Sequence, residues 1–237
     1  MIEDKPQSIL AHLEELRWRV VKIFIAILVG GVVAFVFAEQ LRSILEAPFL
    51  TAAPESEFQT FDATEKWGVL MRIGLFGGAI LASPVILYQI WAFIQPALTS
   101  KERNWAVPIV TALVVLFVGG VGFGYWILPR GLEFLLNVFP DVENNLRLGS
   151  YYSFTLRFLL AFGLTFLFPV FLFAAGASGI ISSEQLGRGR RWAILIIVIG
   201  AAVITPSGDA FTLIVLSAPL YLMYEATYWL VRLVLKK

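Results

Sequence analysis

The 237-residue sequence contains no cysteine. Disulfides, thiolate metal sites and cysteine nucleophiles are therefore excluded. A single histidine, His12, leaves no room for a multi-histidine metal centre or a histidine proton relay. Charge is also scarce, at 15% of residues against about 25% in a soluble domain. The net charge of +1 creates no global basic field, so no nucleic-acid partner is expected. The chain has no phosphate loop, no His-Glu helix motif and no serine set beside a candidate base. These absences argue against an enzyme and give no reason to expect a cofactor or a metal.

What the chain has in excess is apolar surface. Hydrophobic residues make up 59% of it, and the mean hydropathy is +0.81. A chain of this size cannot hide so many apolar side chains in its own interior, so the surplus must face lipid. Six apolar runs are read as transmembrane helices, at about 20–38, 68–94, 106–128, 154–180, 192–205 and 210–231. They are continuously apolar rather than alternating, which favours helices over a barrel. The expectation is one integral membrane domain, 1–237, of the all-α class.

Two of these runs are short. Trp192–Thr205 rises roughly 21 Å at 1.5 Å per residue, and the last run has only 15 residues between Ala210 and Glu225. Such a pair either lies behind neighbouring helices or thins the bilayer around it. Pro84, Pro96, Pro108, Pro129, Pro169 and Pro219 fall within or at the ends of runs. Each removes a backbone donor and can kink its helix, which predicts a bundle with a concave wall.

With six spans both termini share a side. Arg42, Lys66, Arg72, Arg130, Arg147 and Arg157 fall on the opposite side, and the other 12 of the 18 basic residues fall with the termini. The positive-inside rule puts both termini in the cytoplasm. The first run is too long for a signal-peptide h-region, and nothing before it reads as a transit peptide. The expected location is therefore a prokaryotic plasma membrane. Two longer outer connections, 39–67 and 129–153, carry Leu41, Ile44 and Leu45 and then Phe134, Leu135 and Val138, as short amphipathic helices would.

Ionisable groups inside the spans are few. Lys22, Arg72 and Arg157 lie near span ends and can snorkel. Glu225 lies about two turns from the end of the last run and can pair with Arg232 or reach the interface. Residues 8–20 read as a surface helix with Ile9, Leu10, Leu13, Leu16 and Val20 along one stripe. That helix offers Glu15, and the loop after the second span offers Glu102 on the same face. A carboxylate at a membrane interface can take a guanidinium bidentately, which it cannot do with an ammonium. The competing reading, favoured by spacing alone, is that both glutamates pair with nearby Arg17, Arg19, Lys101 or Arg103.

His12-Leu13-Glu14-Glu15-Leu16-Arg17 resembles the N-terminal motif of the TatC family, the multispanning subunit of the twin-arginine protein translocase. The stretch 83–93, followed by Pro96-Ala97-Leu98 and Glu102-Arg103, is similar to that family's most recognisable segment. Ala47-Pro48, Ala161-Phe162-Gly163 and Thr205-Pro206 with Asp209 fit in the same order. The resemblance implies a receptor for twin-arginine signal peptides, working in a multimeric complex with single-span TatA-like and TatB-like subunits. Folded proteins would then be exported across the membrane by the proton-motive force. By motif position it implies signal binding at Glu15 and Glu102, with Arg17 and Phe93 in the same patch. It also implies a functional outer-loop position at Pro48, and leaves Asp209 and Glu225 as further polar sites. Where many members carry Glu or Gln in the fourth span, this sequence has Leu167. The alternative, a small-molecule transporter or channel, predicts coordinating polar groups near the midplane, and the sequence offers none.

Overall fold

The structure is a computed structural model that describes residues 9–54, 56–94, 106–138, 146–177, 179, 181–204 and 209–235. Its helices are α1 (Ile9–Val36), α2 (Ala38–Ala52), α3 (Glu65–Leu81), α4 (Ser83–Ile94), α5 (Ala106–Leu136), α6 (Leu148–Thr165), α7 (Phe168–Ala177), α8 (Ser183–Arg188), α9 (Arg190–Ile204) and α10 (Ala210–Leu230). A π-helical turn, Val231–Leu235, follows α10. Two short strands, β1 (Phe58–Gln59) and β2 (Leu146–Arg147), pair in parallel and tie together the connections before α3 and α6.

Four stretches are long and apolar enough to cross a membrane: Leu10–Val36, Val107–Leu136, Leu148–Ala177 and Ala210–Leu233. The pair α3–α4, bent by 54°, meets the same measure when its two helices are taken together. The bend has a local cause. Pro84 cannot donate a backbone hydrogen bond, and the residue before a proline disfavours helical geometry. Accordingly α3 stops at Leu81, and Ala82 accepts from Val85 and Ile86 to restart the chain as α4. Pro169 has the same effect between α6 and α7, where Phe166 and Leu167 form the break.

α9 has 15 residues and rises about 22 Å, shorter than the four stretches above, as the sequence reading of 192–205 expected. α10 runs 21 residues, Ala210–Leu230, close to the 210–231 expected from the sequence, and continues past Glu225 as one helix. The surface helix expected over residues 8–20 is not a separate element. α1 runs unbroken for 28 residues, about 42 Å, so its first turns project beyond a hydrocarbon core of about 30 Å. Likewise the outer segment with Phe134 and Leu135 is a direct extension of α5 past Pro129.

α1 and α3 run antiparallel and meet along a seam of glycines. A Cβ on Gly30 would lie 2.5 Å from the Gly78 carbonyl oxygen, and one on Gly78 would lie 2.6 Å from the Gly31 Cα. Only hydrogen fits, so the two backbones are in direct contact. The core proper is centred on α6, where Tyr151, Tyr152, Phe158 and Phe162 are fully enclosed by residues such as Phe49, Leu128 and Leu216. By contrast Phe24, Leu28, Val32 and Val36 of α1 are exposed, as a lipid-facing helix requires. Because the helices alternate in direction, the bundle has a Glu15 end and a Glu65 end.

Candidate functional site

At the Glu15 end, α1 lies against the last turn and a half of α4. Glu15 and Arg19 are one helical turn apart, so their side chains stack on one face. Arg19 donates from Nε to Glu15 Oε1 at 3.0 Å, and its Nη2 donates to the same oxygen at 2.5 Å. The guanidinium is also shared with α4: Nη1 donates to Gln89 Oε1 at 3.2 Å and Nη2 to the Ala92 carbonyl at 2.9 Å. Three acceptors from two helices thus enclose one planar cation. The pair is partly open, with side-chain exposures of 25% for Glu15 and 18% for Arg19.

His12 closes one side of this cradle. Its ring stacks on Phe93 at 4.3 Å between centroids, nearly parallel, and its Nδ1 lies 3.8 Å from Glu15 Oε2. The structure therefore brings Glu15 and Phe93 into one patch. Arg17 is on the same turn of α1 but points outward and is exposed. Glu102 lies outside the described residues. The local pairing favoured by spacing is found at Glu15, with Arg19 as the partner. Gln89 and the Ala92 carbonyl were not singled out in the sequence. The signal for Gln89 was an amide inside an otherwise apolar run, and the carbonyl leaves no trace in a sequence.

Pro48 sits not in a loop but inside α2, where it is buried. A proline in a helix frees the carbonyl four residues earlier, here that of Ile44. Tyr125 of α5 donates its hydroxyl to that carbonyl at 2.8 Å. Tyr151 of α6 donates to the next carbonyl, Leu45, at 2.5 Å. The proline thus opens one carbonyl of a helix interior to a tyrosine of α5, and the neighbouring Leu45 carbonyl takes a further bond from α6. On the exposed side of α2, Arg42 bonds both Glu39 and Glu46, and its guanidinium holds the Glu39 carboxyl below the usual carboxylate range.

Asp209 caps α10, accepting from the Thr212 backbone N–H at 2.8 Å and from its hydroxyl at 2.6 Å. Its role in the fold is therefore that of an N-cap. Glu225 pairs not with Arg232 but with Arg190 of α9, which donates from Nε at 2.7 Å and from Nη2 at 2.8 Å. Tyr221 adds a third donor at 3.1 Å. Arg232 instead bonds the Tyr228 hydroxyl at 2.8 Å. Arg232, two turns away, was one of the two alternatives open in the sequence, but the short hairpin of α8 and α9 folds Arg190 back over α10. Leu167, at the α6–α7 break, is buried, and nearby Thr165 turns its hydroxyl back onto the Ala161 carbonyl. Among the described residues no other polar side chain takes the place of Leu167 at this break.

A groove of about 690 Å³ opens between α6–α7 and the α9–α10 pair, walled by apolar side chains including Leu164, Phe171, Trp192 and Ile196. It is the concave feature that the kinked helices led us to expect.

Comparison with known proteins bears on all of this. The model of the family Sec-independent protein translocase protein (TatC) matches residues 11–219. The Sec-independent protein translocase protein TatC of Aquifex aeolicus (strain VF5) is 40% identical over 230 residues, covering 95% of each chain. The chloroplastic TATC of Pisum sativum is 38% identical over 243 residues, covering 98% of this chain and 65% of that one. Among solved structures, the crystal structure of the twin arginine translocase receptor TatC superimposes with a TM-score of 0.80 at 39% identity. That match covers 94% of this chain and 98% of the other. A crystal structure of the same receptor in DDM gives a TM-score of 0.82.

Proposed function

The chain belongs to the TatC family of Sec-independent protein translocase proteins, and from that premise we propose that it is the signal-peptide receptor and core subunit of a Tat translocase. It recognises twin-arginine signal peptides of folded proteins, which cross the membrane at the expense of the proton-motive force. It performs no covalent chemistry. Glu15 and Glu102 take the two arginines, with Arg17 and Phe93 bordering the site, and both termini face the cytoplasm of a prokaryotic cell. TatA-like and TatB-like single-span subunits complete the complex, and the groove beside α9 offers an apolar wall to the hydrophobic part of the signal peptide. Pro48, Asp209 and Glu225 act as structural anchors rather than as contacts to the peptide.

The observation that carries this reading is that the Glu15 cradle already holds a guanidinium. Its acceptors, Glu15, Gln89 and the Ala92 carbonyl, meet the planar fork of Arg19 from several directions. A peptide arginine that displaces or joins Arg19 finds the same acceptors. Lysine, with a compact ammonium and no planar fork, cannot use them in the same way. The transporter alternative lacks support, since no set of coordinating polar groups faces a central cavity among the described residues.

The test is binding of a labelled signal peptide to the purified protein in detergent, with Arg-Arg and Lys-Lys versions compared. The Arg-Arg peptide is expected to bind better, and Glu15→Ala and Glu102→Ala each to erase the difference. Equal binding of both peptides, unaffected by either substitution, would sink the carboxylate site.

A further inference from the structure

The Glu65 end holds a second arginine–carboxylate arrangement, in which the cations outnumber the anions. A cleft of about 590 Å³ opens between the start of α3 and the start of α6. Its charged walls are Arg72, Arg147 and Arg157 against Asp62 and Glu65, an excess of one positive charge. Both carboxylates are already satisfied. Glu65, with a side chain only 4% exposed, accepts from Arg147 Nε at 2.9 Å and from the backbone N–H groups of Gly149 and Phe61. Asp62 accepts from the Thr64 N–H and hydroxyl, each at 2.9 Å.

The remaining donors are not satisfied to the same degree. Among the described residues Arg72 gives one bond, to the Gly149 carbonyl at 3.1 Å. Arg157 is exposed and has no hydrogen-bond or ion-pair partner among the described residues. Each guanidinium carries five N–H donors. Two cations with spare donors therefore face one opening, and Gly68, where a Cβ would meet nothing within 4 Å, leaves that wall bare.

Depth decides what can fill the cleft. Arg72 lies about 10 Å below the start of α3, and Arg157 about 13 Å below the start of α6. Trp67, Met71 and Leu75, beside the cleft on α3, are all exposed apolar residues, as on a lipid-facing wall with a tryptophan at the headgroup level. An arginine in such a place turns its head back toward the interface, where the abundant anion is the lipid phosphodiester. That group carries one negative charge, equal to the local excess, and its oxygens accept from guanidinium forks.

We propose that this cleft binds the headgroup phosphate of an anionic phospholipid in the leaflet at the Glu65 end, with Arg72 and Arg157 as its main contacts. The proposal goes beyond the signal-peptide reading and does not depend on it. The experiment is native mass spectrometry of the full chain in detergent, titrated with phosphatidylglycerol or with phosphatidylcholine. Wild type is expected to retain phosphatidylglycerol about tenfold more strongly, as charge-assisted hydrogen bonds of this kind allow. Arg157→Gln removes a side chain with no internal partner, so the fold stays intact while most of the preference disappears. The double variant Arg72→Gln, Arg157→Gln erases the preference, whereas Arg188→Gln at the other end of the bundle leaves it unchanged. Inorganic phosphate, which lacks acyl chains, does not displace the lipid. Equal retention of the two lipids by wild type, an undiminished preference in Arg157→Gln, or displacement by inorganic phosphate would each overturn the proposal.

Discussion

The two ends of this molecule use the same pair of residue types to opposite effect. At the Glu15 end three acceptors surround one guanidinium, and the site is partly open. At the Glu65 end three guanidiniums surround carboxylates that are already bonded, one of them almost wholly enclosed. The first arrangement has acceptors to offer and suits a cation, while the second has donors to offer and suits an anion. The ratio of charges and the burial of the carboxylate set the sign of the ligand, not the presence of an arginine–glutamate pair as such. The pair Arg190–Glu225 makes a third case, balanced and bidentate, and it reads as a clamp between α9 and α10.

Five substitutions, one of them added to another, test that contrast, from the largest expected effect to the smallest. Gly78→Leu acts on both ends at once. The added side chain collides with the backbone of Gly30 and Gly31, so α1 can no longer hold Glu15 against α4. A loss of about 3 kcal/mol is expected for overpacking against rigid backbone, seen as a low melting temperature together with loss of peptide binding. Glu65→Ala should separate the ends. It strips Arg147 and two backbone N–H groups of their acceptor, and a drop in melting temperature on the order of 10 °C is expected. Peptide binding at Glu15 should survive at temperatures where the variant remains folded.

Tyr125→Phe leaves the Ile44 carbonyl without its donor and should cost about 1 kcal/mol, measured by thermal unfolding in detergent. Adding Pro48→Ala should recover most of that loss, because the restored backbone N–H can then satisfy the same carbonyl. Arg19→Gln vacates the Glu15 cradle without breaking α1. If Arg19 competes with the incoming arginine, the Arg-Arg peptide should bind about threefold more tightly, well within the range of a partly exposed ion pair. Weaker binding would mean that Arg19 is part of the peptide's scaffold rather than its rival.

Much of this could be read along the chain. Apolar runs gave the helices, and Pro84 and Pro169 marked breaks, because a missing N–H acts locally. The Glu15–Arg19 pair was accessible for the same reason, being one turn apart. What escaped the reading was contact at long range. Arg72 and Arg157 were seen as separate snorkelling residues, and nothing in the spacing joins them to Glu65 and Arg147, which meet across more than 80 positions. The pairing of Glu225 with Arg190 was missed because a same-helix partner at a suitable spacing competed for attention. That residues 8–20 run into the first span was legible, because no breaker interrupts them; their projection along the same axis, rather than along the surface, was not. The Pro48 socket depends on two tyrosines from distant helices.

That socket also sets an order of events during synthesis. The carbonyl of Ile44 awaits a donor 81 residues downstream. At roughly 5–20 residues per second, that donor emerges about 4 to 16 seconds after its acceptor. Until then α2 must rest where water can reach its free carbonyl, at the surface of the bilayer rather than within it. The segment made second is thus expected to be among the last to settle. Crosslinking α2 to lipid in nascent chains arrested before and after Tyr125 would reveal its delay.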